Sequence, residues 1–353
     1  MNQGFSSLKG SRVLVTGHTG FTGSWVSLWL KRLGADVIGY SLTPETQPSL
    51  FNELGLENKV DHHIGDIRDF DRLQKVVVDT EPDLVLHLAA QPLVRRSYRI
   101  PQETFEVNVT GTVNVMQAAL SSSALKGVLC ITTDKVYKNN DSGKPFVETD
   151  ELGGSDPYSA SKAAAELAIA SYRQSFFSST ENPVPLVAAR GGNIIGGGDW
   201  SEDRLIPDFV RAWQNHTPLE IRFPEATRPW QHVLGLADGY LNILTKMLDA
   251  PESLSPAYNL GPTSEQVIPV KDVVAAISEV IPHVEMQRGS SPLKEASQLQ
   301  LDSSLARKEL HWKPKWDGIE AIRQTASWYL GLSQGQRAEE LCQSQIDSWQ
   351  SVS

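Results

Sequence analysis

Short apolar runs recur through the first half of the chain, at Arg12–Thr16, Asp36–Ser41, His62–Gly65, Leu84–Leu88, Gly127–Thr132 and Pro185–Ala189, and each reads as a strand. Between them lie amphipathic stretches of helical period. Strands that are apolar on both faces and separated by helices predict an α/β fold, a doubly wound parallel sheet with right-handed crossovers. Ligands are then expected outside the carboxyl ends of the strands. Past Arg190 the alternation gives way to a glycine-rich loop (Gly191–Gly198), a helix at Leu205–Gln214 and short extended pieces at Glu220–Phe223 and Ala257–Leu260. These predict a smaller second lobe. A helical pattern over Leu236–Leu248 is expected to return to the sheet, so that the two lobes interleave.

The first strand runs directly into Gly17–His18–Thr19–Gly20–Phe21–Thr22–Gly23, followed by an apolar helix beginning near Ser24. Glycines at this spacing permit a tight turn and let a pyrophosphate approach backbone N–H groups, while the helix N-terminus adds a partial positive charge. The context is that of a Rossmann-type dinucleotide site. The acidic residue expected at the end of the second strand to hold a ribose is missing, since Gly39–Tyr40–Ser41–Leu42 stands there without Arg or Lys; NAD is therefore expected rather than NADP. Asp66 and Ile67 after the third strand fit either a role at the adenosine or a strand-ending turn. Leu88, Ala89 and Ala90 after the fourth strand supply small side chains for a flat cofactor to pass, or simply core. On this reading residues 1–190 form the dinucleotide-binding domain, rejoined near 234–250, with a substrate lobe over 191–335 and a tail over 336–353.

Tyr158 and Lys162 lie four residues apart on a helix that Asp156 or Ser155 can cap. A cation near a phenol favours the phenolate, and the same lysine can bond a ribose, so this pair suits removal of a hydroxyl proton as hydride departs. Thr133, Asp134 and Lys135 follow the fifth strand at the ligand-bearing edge, where Thr133 can bond a sugar hydroxyl and the charged pair can serve as proton donor and base.

Composition narrows the field. At 353 residues the chain exceeds the roughly 250–300 at which single cores stop growing. A net charge of −10 with dispersed Lys and Arg excludes the basic face that a nucleic-acid partner needs. Any anionic ligand must meet local cations. Cys130 and Cys342 suggest neither a disulfide framework nor a metal site. No apolar run is long enough to span a membrane, and Met1–Gly10 lacks the layout of a secretory signal, so a cytoplasmic location is expected.

Taken together, Thr16–Gly17–x–x–Gly20–x–x–Gly23, Asp66, Leu88–Ala90, Asn108 and Tyr158–x–x–x–Lys162 resemble the extended short-chain dehydrogenase/reductase superfamily over nearly the whole chain. Within it, Thr133–Asp134–Lys135–Val136–Tyr137 looks like the active-site segment of the nucleotide-sugar 4,6-dehydratases, in which Lys after Asp marks the CDP-glucose enzymes and Glu the dTDP-glucose enzymes. Residues 190–208 and 228–233 are similar to segments of those CDP-glucose 4,6-dehydratases. The resemblance implies an NAD-dependent cycle on CDP-glucose. Tyr158 takes the 4-hydroxyl proton as hydride leaves carbon 4; Lys135 removes the carbon 5 proton while Asp134 protonates the departing 6-hydroxyl; hydride returns to carbon 6.

That division of labour requires a neutral Lys135, against which Asp134 works, so a water or Tyr158 stands as an alternative base. Arg204 and Arg228 are the candidates for the diphosphate, with Asn193 at the diphosphate or sugar, and Trp230 is expected in the core. The resemblance also suggests that the Ala-rich helices around Gln102–Leu120 and Tyr158–Phe177 pair in a homodimer or a dimer of dimers; the sequence equally permits a monomer. A 4-epimerase, another nucleotide-sugar dehydratase and a non-enzymatic dinucleotide sensor are the rival readings.

Overall fold

The computed structural model describes residues 3–139, 143–178, 181–262, 267–282, 284–289 and 299–352. At its centre is a parallel sheet of seven strands: β1 (Arg12–Thr16), β2 (Asp36–Ser41), β3 (Asp61–Ile64), β4 (Leu84–His87), β5 (Gly127–Thr133), β6 (Leu186–Gly191) and β7 (Ala257–Leu260). Their spatial order is β7-β6-β5-β4-β1-β2-β3, every neighbouring pair parallel. The chain winds outward from β1 to β3 and then returns to β4 on the other side of β1. The strand order thus reverses between β1 and β4, and a crevice opens at their carboxyl ends.

The apolar runs are strands because both faces are covered. Val13 and Val15 of β1 join one core with Trp25, Trp29 and Leu244, whereas Leu14 between them joins a second core with Val85, Met116 and Ile169. The first face carries the Phe21–Leu33 and Val233–Asp249 helices; the second carries Phe70–Thr80, Thr112–Ala119 and Pro157–Tyr172. The helix expected over Leu236–Leu248 is the Val233–Asp249 helix, packed on β5.

Two expectations change. Ala257–Leu260, read as an extended piece of the second lobe, is β7 and pairs with β6, because its four residues are all buried and its backbone completes the ladder at the sheet edge. Residues 336–353, read as a tail, hold a helix (Ala338–Ser351) whose Cys342, Ile346 and Trp349 are buried. Trp349 meets Trp316 edge-on at 5.1 Å, and Lys59–Glu339 and Arg32–Asp347 ion pairs tie this helix back to the dinucleotide half. Its polar residues face water, which gave the segment its tail-like appearance in sequence.

Beyond β6 the smaller elements form two-stranded ribbons, Ile194–Ile195 with Gln231–His232, Thr227–Pro229 with Val267–Pro269, and Leu219–Ile221 with Met286–Arg288. With the Leu205–Asn215 helix they contribute residues to the wall of the cleft facing the strand ends.

Candidate active site

A cleft of about 1850 Å³ runs from the Gly17–Gly23 turn across the ends of β4 and β5 to the Leu219–Phe223 segment. On the dinucleotide side, β1 turns sharply at Gly17, where φ is +76° and a Cβ would stand 2.7 Å from the backbone N of Ala89. Only glycine meets both demands. The helix starts at Phe21, three residues earlier than expected, because the Ser24 N–H already donates to the Gly20 carbonyl at 2.9 Å. Thr19 donates to the Leu42 carbonyl (2.9 Å), leaving the Ser41 hydroxyl to donate to Thr19 Oγ1 (2.8 Å). Thr19, Gly20, Phe21, Thr22, Gly23, Ser41, Asp66, Ile67, Leu88, Ala89 and Ala90 all line the cleft. The Asp66 carboxylate is gripped by the Arg68 guanidinium at 2.7–3.1 Å, which holds its pKa below the usual range.

Two expected cofactor residues are placed elsewhere. The His18 side chain is fully buried beneath the turn, in space left by Gly39, and shares a 2.6 Å hydrogen bond with His62; burial drives its pKa down to about 3. Asn108 is also fully buried. Its amide donates to the Gln91 carbonyl (3.1 Å) and Ser161 Oγ (2.9 Å) and its oxygen accepts from Gln91 N–H (2.8 Å), bracing the loop after β4 against the Tyr158 helix. In sequence each sits inside a motif, but neither side chain reaches the cleft wall.

His87, overlooked in sequence because it ends an apolar strand, links these parts. Thr112 donates to the Asn108 carbonyl, so it must accept from His87 Nε2 (2.9 Å); Nδ1 then accepts from Thr16 (2.7 Å). This chain ties the residue before Gly17 to the π-helical turn at Glu106–Gly111 that carries Asn108.

On the chemical side, the Asp156 carboxylate caps the Pro157–Tyr172 helix by accepting from Ser159 N–H at 2.9 Å, and Tyr158 and Lys162 project from its first turns. Tyr158 lies beside Thr133. Burial lifts its phenol above the usual value and Asp134 adds to the rise, while the charges of Lys135 and Arg204 oppose it, so the phenol is not lowered as the Tyr158–Lys162 spacing predicts. Lys162 was the cation expected to act on this phenol, yet its ammonium donates to the Ile131 carbonyl at 3.2 Å, and burial lowers its pKa to about 8. Asp134 is buried, accepting from Thr133 Oγ1 (2.9 Å) and from Lys135 Nζ (3.1 Å). For Lys135, burial disfavours the charge, but Asp134 and Tyr158 outweigh it and its pKa stands above the usual lysine value.

Asn193, Arg204 and Arg228 line the same cleft. Arg204 pairs with Asp199 at 3.1 Å, and Arg228 donates to the Thr227 carbonyl at 2.8 Å. Trp230 is in the core, as expected, with its indole N–H on the Ile268 carbonyl. Sequence reading missed Arg96 and Arg222, which also line the cleft; Arg96 bridges Glu45 and Glu202, and Arg222 meets Asp203 at 3.1 Å. Their scattered positions carry no motif. Among the described residues no group of three or more His, Cys, Asp or Glu is arranged to hold a metal.

Comparison with known proteins places this geometry. The profile of the NAD dependent epimerase/dehydratase family matches residues 13–261. The chain belongs to that family. It is 40% identical over 333 residues to the CDP-glucose 4,6-dehydratase of Salmonella typhimurium, covering 93% of each chain. Its fold matches the epimerase Mth375 of Methanothermobacter thermautotrophicus with a TM-score of 0.79 at 25% identity, over 97% of this chain and 96% of that one. The dTDP-glucose 4,6-dehydratase of Bacillus anthracis, solved in complex with NAD, matches with a TM-score of 0.75 at 20% identity, over 92% and 98%.

NAD is the cofactor of this family, and the chain's residues fit it. The turn at Gly17 leaves no side chain between the backbone and a pyrophosphate, and the hydroxyl-lined end of β2 offers a ribose two hydroxyls and no charge.

Proposed function

We propose that the chain is a nucleotide-sugar 4,6-dehydratase acting on CDP-glucose, releasing water and CDP-4-keto-6-deoxyglucose. The Asp134–Lys135 pair, 3.1 Å apart and electrostatically coupled to Tyr158, carries the reading. An enzyme that only oxidises and reduces carbon 4 needs the tyrosine but has no use for a second acid–base pair. The 40% identity to a CDP-glucose enzyme supports the choice of sugar nucleotide.

Tyr158 takes the proton from the 4-hydroxyl as its phenolate, a form that burial and Asp134 oppose and that the charges of Lys135 and Arg204 favour. Bound NAD supplies the hydride acceptor for carbon 4 and later the donor for carbon 6. Loss of water then requires one proton removed from carbon 5 and one delivered to the 6-hydroxyl oxygen. The Asp134–Lys135 pair holds a single transferable proton and meets both demands with no net change, and the proton that carbon 5 takes up when hydride returns to carbon 6 balances the one that oxidation left on Tyr158. At rest that proton sits on Lys135. With Lys135 as base and Asp134 as acid, elimination begins by passing it across the 3.1 Å contact.

Arg204 and Arg228 take the diphosphate, with Asn193 beside it, because a chain of net charge −10 must meet an anion with local cations. Ser41, Asp66, Ile67 and the Leu88–Ala90 segment flank the dinucleotide.

A homodimer is proposed through the helices over 101–119 and 157–177, whose neighbourhood leaves Phe105, Leu120, Leu167 and Phe176 exposed. A cytoplasmic location accords with the buried, unpaired Cys130 and Cys342. Among the described residues no helix is long and apolar enough to cross a membrane.

The test is a side-by-side assay of CDP-glucose, dTDP-glucose, GDP-mannose and UDP-glucose with added NAD, following loss of one water by mass. CDP-glucose alone is expected to dehydrate. Dehydration of a different nucleotide sugar would overturn the base assignment, and inversion at carbon 4 without water loss would make the chain an epimerase.

A further inference from the structure

Beneath the Thr133–Lys135 turn lies a buried polar network that the chemistry above does not use. Glu166, one helical turn beyond Lys162, accepts from Arg190 Nε at 2.9 Å and Nη2 at 3.0 Å, a two-pronged ion pair with both side chains almost wholly enclosed. Glu166 also accepts from the Thr132 hydroxyl at 2.6 Å. The third Arg190 nitrogen, Nη1, donates to the Tyr137 hydroxyl at 2.7 Å and to the Glu148 carbonyl at 2.9 Å. The Tyr137 hydroxyl in turn donates to Asn259 Oδ1 of β7 at 2.7 Å, and its ring stacks on Phe146 with centroids 4.8 Å apart.

Thr132 and Tyr137 are the residues immediately before and after the segment Thr133–Val136, which carries Asp134 and Lys135. One guanidinium therefore grips both ends of the turn, the upstream end through Glu166 and the downstream end directly. The same strand end sets a third boundary. A Cβ at Gly192, two residues past Arg190, would stand 3.4 Å from Asp134 Oδ2. Tyr158 rises from the helix that also carries Glu166, but the start of that helix is held by the Asp156 cap and the Ser161–Asn108 hydrogen bond, neither of which involves Tyr137.

Resting on the dehydratase reading, we infer that Tyr137, held by Arg190, is a positioning residue for elimination: it pins the downstream end of the Asp134–Lys135 turn, while the start of the Tyr158 helix is held by contacts that do not involve it. Neither exchanges a proton with the substrate. A displacement of reacting groups on the scale of 1 Å is enough to cost orders of magnitude in rate, so loosening one end of the turn is legible in kinetics. The two half-reactions should respond unequally.

The experiment is rapid chemical quench of wild type, Tyr137→Phe, Asp134→Asn and the double variant on CDP-glucose in deuterated water. Mass resolves the 4-keto sugar that still holds its 6-hydroxyl from the dehydrated product, and deuterium at carbon 5 reports proton removal. Tyr137→Phe is expected to slow elimination about tenfold, with oxidation and KM within about twofold of wild type, so the hydroxylated 4-keto intermediate accumulates. In the Asp134→Asn background it should cost clearly less than tenfold, because one of the two groups it positions is already gone. Arg190→Lys keeps a charge opposite Glu166 but gives up the fork, and it serves the same comparison if Tyr137→Phe does not fold. Equal slowing of oxidation and elimination, or full additivity with Asp134→Asn, would overturn the inference while leaving the functional reading intact. A wild-type chain that removes no water from any nucleotide sugar would instead overturn the reading itself.

Discussion

Lys162 and Lys135 flank the same tyrosine in the same cleft and are driven in opposite directions. Lys162 rises from the helix floor, donates to the Ile131 carbonyl, and loses charge stability to burial, so its pKa falls to about 8. Lys135 stands on the turn above, and although burial acts on it too, the Asp134 carboxylate holds its ammonium and raises its pKa. A lysine with a carboxylate at 3.1 Å is a stored proton. Without such a partner, a buried lysine gives its proton up near neutral pH. The cleft thus holds two differently tuned amines, and the tuning comes from who the neighbour is rather than from depth.

The largest effect that tests this contrast falls on the group between them. Tyr158→Phe should lower the rate of carbon 4 oxidation by about 10²–10⁴-fold, the range of general acid–base catalysis, as measured by single-turnover quench. An oxidation rate within a few-fold of wild type would mean that the phenol is not the base.

Asp134→Asn should be smaller and selective, slowing water loss by about 10²-fold while oxidation persists, with the hydroxylated 4-keto sugar building up. Removing the carboxylate also removes the cause of the raised Lys135 pKa, so the elimination that remains should titrate at lower pH than in wild type. A pH profile that does not move would sink the paired-proton account.

The smallest effect is on stability. The unfolded chain binds more protons than the folded one between the Lys162 pKa of about 8 and the usual lysine value of 10.5, so this residue makes folded stability rise with pH across that window. Lys135, with its pKa raised, contributes stability that is present below 10.5 and lost as pH climbs through its folded value. Denaturant melts of Lys162→Met at pH 8 and pH 10 should show a smaller gain, or a larger loss, on alkalinisation than wild type. An identical difference in the two proteins would show that Lys162 is not held in a depressed state.

Much of this was legible in the chain because local chemistry encoded it. The glycine spacing after β1 survives as a turn that a Cβ would block, and Tyr158 and Lys162 share a helix whose Asp156 cap stands in the sequence three residues before Ser159. Motif membership misled where a side chain had two directions to choose from. His18 and Asn108 lie within recognisable segments, and packing turned both inward, one onto His62 and the other onto Gln91 and Ser161. His87, Arg96 and Arg222 belong to no short pattern, since their partners lie 25 or more residues away for His87 and across the cleft mouth for the arginines. β7 was recognised as extended and assigned to the wrong neighbour, because pairing with β6 is a relation between segments some 70 residues apart.

By itself the sequence determined the period of its elements, the glycine turn after β1 and the candidates for the reacting side chains, all of which depend on residues within one helical turn or one strand. Tertiary structure alone decided the order of the sheet, the protonation of the two lysines and the double grip of Arg190 on the Asp134–Lys135 turn. Electrostatic tuning falls off within a few ångströms, and the atoms at that distance from Lys135, Lys162 and Glu166 come from strands and loops that only folding brings together.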